Sequence, residues 1–133
     1  MDGDEIRANL RHQIKRHRKA VDVFADELKD VSRSSIDRLE WADSTFESAA
    51  HVFVYEKALR LVEKEDDPVK ACVLVLDVAS KEVFNSARWP SSSTSSSSNY
   101  AHIVRGAAWA DLHDQFEGLM NTMMKDQSRQ EAE

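Results

Sequence analysis

The stretch DVSRSSIDRLE, Asp30 to Glu40, concentrates hydrogen-bonding chemistry in eleven residues. Ser32, Ser34 and Ser35 bring hydroxyls that both donate and accept. Arg33 and Arg38 bring guanidinium forks, and Val31, Ile36 and Leu39 supply an apolar backing. Small polar and basic groups at the start of a short helix suit recognition of a polar or anionic surface, not bond breaking. The same residues also describe an ordinary capped surface helix, because serine at an N-cap and Arg or Asp on a solvent face are common.

A second basic group lies upstream. Between Ile6 and Ala20 stand Arg7, Arg11, Lys15, Arg16, Arg18 and Lys19, with His12 and His17 among them and no acid. From Trp41 onward nine basic residues face fifteen acidic ones, and the whole chain carries a net charge of −6. A basic stripe on an acidic body can hold a polyanion locally, or can simply be a solvated helix face.

Catalytic and metal chemistry find little support. The five histidines (His12, His17, His51, His102, His113) are scattered, with no pair at i, i+4. His113 and Glu117 have that spacing, but one pair is a solvated helix face far more often than a metal site. Cys72 lies in an apolar run and reads as core. There is no Gly-rich phosphate loop, and three glycines could hardly build one. No enzyme activity, metal or cofactor is expected. The single cysteine points to a reducing compartment, and the lack of a long apolar run to a chain that does not span a membrane. A cytoplasmic location is the expectation.

Three glycines and two prolines leave few reversals, so the fold class expected is all-α. Ile6, Leu10 and Ile14 recur every four residues on a first helix, with Asp2 or Asp4 as its cap. A short second helix is expected from Val21 to Leu28, and a third from Arg33 to Trp41 behind Ser32, with Ile36 and Leu39 facing inward. Ser44 and Glu47 fit a capping box for a fourth helix, Thr45 to Glu63, burying Phe46 and Phe53 among others. Asp67 and Pro68 suit the start of the next, in which Val69 to Phe84 repeat at three-four spacing. The apolar-free run PSSSTSSSSN predicts a flexible loop over 90–99. A last amphipathic helix follows, about Tyr100 to Lys125, and residues 128–133 fray. The division expected is a first unit over 1–66 and a helical packing segment over 67–127.

The string VSRSSIDRLE resembles the recognition-helix stretch of the Cro/CI-type helix-turn-helix family. The likeness extends back through FADEL and forward to the fourth helix, about Ile6 to Glu63. It departs in the turn, where the family's glycine is replaced by Lys29-Asp30, and in Asp37, an acid on the helix that would enter the groove. The resemblance implies a bundle of four helices that binds double-stranded DNA. Ser32, Arg33, Ser34, Ser35 and Arg38 would read bases, while Arg11, Lys15, Arg16, Arg18 and Lys19 would hold phosphates.

Family analogy extends this to a small dimeric transcriptional regulator of the phage or plasmid repressor type. The homodimer would form through the C-terminal helices, at Trp109, Phe116, Met120 and Met123, which could also receive a protein partner; plain core packing is the alternative for the same residues. The rival function is a non-enzymatic helical interaction protein without DNA binding, with Asp30, Asp37 and Glu40 turned toward a protein.

Overall fold

The computed structural model describes residues 2–30, 32, 34–88 and 96–132, with the side chains of 87, 88 and 96–100 left out of the account. These residues form four helices: α1 Gly3–Leu28, α2 Ser35–Glu63, α3 Pro68–Arg88 and α4 Ser96–Ala132. The all-α expectation holds. The four separate N-terminal helices expected do not appear, because the first and second form one continuous helix and so do the third and fourth.

The physical reasons are local. Around Ala20 and Val21 no glycine or proline interrupts α1, and residues 15–28 stay helical with half-buried Val21, Phe24 and Leu28 extending the row begun by Ile6, Leu10 and Ile14. At the expected break before Thr45, the Thr45 hydroxyl donates to the Trp41 carbonyl four residues back (2.7 Å), a bond made inside a helix and not at its start. Ser44 and Glu47 therefore sit mid-helix, and the capping pattern goes unused.

Other starts match the sequence. The Asp2 carboxylate accepts from the Glu5 amide (2.9 Å). Asp67 accepts from the amides of Val69 and Lys70 (2.9 and 3.3 Å), with Pro68 first in α3. The run VKACVLVLDV is helical, as its spacing predicts. Of the expected loop 90–99, residues 90–95 lie outside the described residues, whereas 96–99 already belong to α4. At the other end α4 is helical to Ala132, with residues 124–132 exposed.

One core joins all four helices: Ile6, Leu10 and Ile14 from α1, Val54, Tyr55, Ala58 and Val62 from α2, Ala71, Cys72, Val75 and Ala79 from α3, and Trp109, Leu112, Phe116 and Met123 from α4. It runs across the boundary expected near residue 66. The buried residues are confined to one end of the α1–α2 hairpin. Between residues 15–28 of α1 and 35–47 of α2 none is fully buried, so this half is an arm of two helices that pack along each other, with α4 reaching it at Phe46. Burial drives most helical stability in proteins, and this half has the least of it in the hairpin.

Candidate interaction surface

The arm carries the residues that the sequence singles out, at the turn between α1 and α2 and in the first turn of α2. Ser34 is the N-cap of α2, its hydroxyl accepting from the Asp37 amide (3.2 Å). Ser32, expected to be that cap, instead gives its amide and hydroxyl to the Asp30 carboxylate (3.0 and 2.6 Å). Ser35 is exposed in the first turn of α2. Arg38 reaches back to the Leu28 carbonyl at the other side of the turn (3.4 Å). Arg33 and Val31 lie outside the described residues.

Ile36 and Leu39 were expected to face inward. They point outward, 72 % and 64 % exposed, and among the described residues no third helix covers them. Phe46 and Phe53 are corrected in the same direction, 57 % and 38 % exposed. Val23 on α1 is exposed as well.

The basic stripe is on the surface. Arg11, Lys15, Arg16, Arg18 and Lys19 are all exposed, but α2 supplies counter-charges: Arg11 pairs with Glu63 (3.3 Å) and Arg18 with Glu56. A shallow groove of about 520 Å³ runs there between α1 and α2, lined by Arg11, Ile14, Lys15, Arg18, Glu56, Leu59 and Arg60.

The expected dimer residues lie in the chain's own core. Trp109, Phe116 and Met123 are buried, and partly buried Met120 packs against the same core. Cys72 is also buried, which pushes its thiol up to about 11 and leaves it protonated and inert.

A cluster invisible in the sequence ties the arm to the core. His17 of α1 stacks on His51 of α2, ring centroids 4.8 Å apart, with Tyr55 beside both. His51 has the Glu47 carbonyl 2.7 Å from Nδ1 and the Asp111 carboxylate of α4 3.0 Å from Nε2. Gln115 of α4 donates to the Tyr55 hydroxyl (2.8 Å). The available signal was the position of His17 in the same helical row as Leu10, Ile14, Val21 and Phe24.

Burial, then His51 and Arg16, lower the proton affinity of His17 below the ordinary imidazole value of 6.5. As pH falls the unfolded chain takes that proton first, so the contribution of His17 is intact above about 6.5 and is lost as pH falls through its lowered folded value. Thermal unfolding at pH 7.5 and 5.5 should show a larger fall in Tm for the wild type than for His17→Gln. Equal falls would mean that His17 is not linked to folding.

Among the described residues no group of three or more His, Cys, Asp or Glu could hold a metal ion, and no helix is long and apolar enough to cross a membrane. No family model matches the chain, and no curated protein or solved structure does. Fold and surface define an all-helical chain with a two-helix arm. Its most distinctive surface is apolar and lies at the arm's free end.

Proposed function

We propose that this chain is a helical protein-interaction module that works through the α1–α2 arm and not through catalysis. The observation that carries the reading is the outward exposure of Ile36 and Leu39, 72 % and 64 %, at the end of α2 next to the turn. Exposed apolar residues grouped on an acidic surface mark a docking site more often than a defect. Ser32, Ser34 and Arg38 support it by spending their hydrogen bonds on the turn and the cap, which ends the hairpin firmly and presents the row beyond it.

A photo-crosslinking residue placed at 36 or 39 tests this in extract of the native cell. Discrete products at those two positions, absent when the probe is moved to exposed Asp77 on α3, are the expected result. The same uniform background at all three positions would overturn it.

Double-stranded DNA binding is the second reading, and the groove bearing Arg11, Lys15, Arg18 and Arg60 favours it. A regulator's contact with phosphates would run along α1, with Arg16 and Lys19 extending it. Glu56 in the same groove and Glu63, paired with Arg11, weaken the attraction, and Asp37 and Glu40 stand where base contacts would be made. Selection from a random duplex library at low salt separates the two. Enrichment of a motif whose affinity falls steeply with salt would install the DNA reading; no enrichment is the outcome expected of an interaction arm.

A further inference from the structure

Helix α2 has a second apolar row beside the one that meets α1. Ile36, Leu39, Phe46, Ala50 and Phe53 recur at helical spacing and stay on one side of it. Toward the core α4 roofs this row, where Ala101, Val104 and Arg105 enclose a cleft of about 210 Å³ with Phe46, Ala49, Ala50 and Phe53. The Arg105 guanidinium lies 5.1 Å from the Phe53 ring centre, a cation placed on the apolar row. Toward the tip the row outruns that roof, and Ile36 and Leu39 continue it uncovered.

Charge says what would fit there. From Ile36 to Glu56 the helix carries Asp37, Glu40, Asp43, Glu47 and Glu56 against one cation, Arg38, whose guanidinium is turned to the Leu28 carbonyl. The adjoining part of α1, from Ala20 to Leu28, carries Asp22, Asp26 and Glu27 and no Lys or Arg. Glu40 and Glu47 each follow a residue of the row, so they border it, and both are exposed.

We infer that the Ile36–Leu39 end of this row seats a basic amphipathic helix of a partner protein. Its apolar side chains cover Ile36 and Leu39 and its Lys or Arg residues lie beside Glu40 and Glu47. This rests on the reading of the arm as a docking surface and adds the chemistry of its occupant. Helix-in-groove recognition of this kind is anchored by apolar residues at three-four spacing and oriented by the charges beside them. A second copy fits poorly. Two such arms would bring acid against acid, and the chain's own basic helix has its apolar residues, Ile6, Leu10 and Ile14, sealed in the core.

The test titrates the full chain into a dye-labelled three-heptad peptide with Leu at a and d and Lys at e and g, followed by fluorescence anisotropy. The lysines keep the peptide from pairing with itself. Expected are binding that weakens with salt and a loss of about tenfold or more for Ile36→Ser/Leu39→Ser, in the range of an interface centre. Glu40→Lys/Glu47→Lys should weaken the Lys peptide similarly and strengthen a Glu version of it. All substituted positions are exposed, and circular dichroism verifies that each variant keeps its helices.

No binding, or binding indifferent to Ile36 and Leu39, overturns the inference. So does a dimer in sedimentation that Ile36→Ser/Leu39→Ser dissolves, which would give the row to a second copy. If the peptide fails while photo-crosslinks at 36 and 39 persist, the basic occupant is wrong and the docking arm stands. If both fail, both fall.

Discussion

Trp109→Ala is expected to lower the stability of the fold by about 3–5 kcal/mol, the usual cost of emptying a large aromatic site. Trp109 is 1 % exposed and heads the largest fully buried side chains of the core. Ala108, Leu112 and Phe116 on α4, and the small residues Ala71 and Ala79 on α3, belong to the same cluster. Domains of this size hold together by only about 5–15 kcal/mol. The loss corresponds to a fall in Tm of roughly 10–25 °C. Thermal unfolding followed by circular dichroism reads that fall, and sedimentation velocity reads association. A core residue changes the first and leaves the second alone. A variant with wild-type Tm and altered association would return Trp109 to an interface between copies.

What the sequence made legible was periodicity. Ile6, Leu10 and Ile14 face the core as their spacing requires, and Asp67-Pro68 starts α3 where a carboxylate and a ring without an N–H belong. The segment from Val69 to Phe84 reads as helix because its apolar residues recur over too great a length for a strand. The breaks were not legible. Ser44 and Glu47 have the residue types of a capping box, but a cap acts only where the preceding turn leaves amides unbonded. Here Thr45 continues the helix and bonds the Trp41 carbonyl. Helix ends are set by tertiary support as much as by the capping residues themselves.

The surface was half legible for a related reason. The cations from Arg7 to Lys19 stand out in the chain, but Glu56 and Glu63, which answer two of them, come from the other helix of the hairpin. Linear charge patterns do not reveal pairs made across helices. Ile36 and Leu39 look like core because apolar residues at i, i+3 normally are. Their exposure depends on which elements reach the arm, and spacing within one helix does not announce that. His17 and His51 are far apart in sequence and meet only because α1 and α2 are antiparallel.

Thr45→Pro distinguishes the continuous arm from a helix-turn-helix most sharply. If a new helix began behind Ser44, residue 45 would be its first position, where proline is favoured because no amide partner is lost. In the continuous α2, Thr45 is interior. Its replacement removes the amide bond to Trp41, removes the hydroxyl bond to the same carbonyl, and drives the ring against that oxygen. The cost is about 3 kcal/mol or more. The expected results are a lower Tm, weaker helical dichroism, and faster hydrogen exchange over residues 35–44, with Thr45→Ala close to wild type. Exchange should quicken most in the arm, because α2 has buried residues between 48 and 62 and none between 35 and 47. A Thr45→Pro variant with unchanged Tm and exchange would mean that the helix breaks before residue 45. The row from Ile36 to Phe53 would then not be one surface, and the docking site proposed on it would have no foundation.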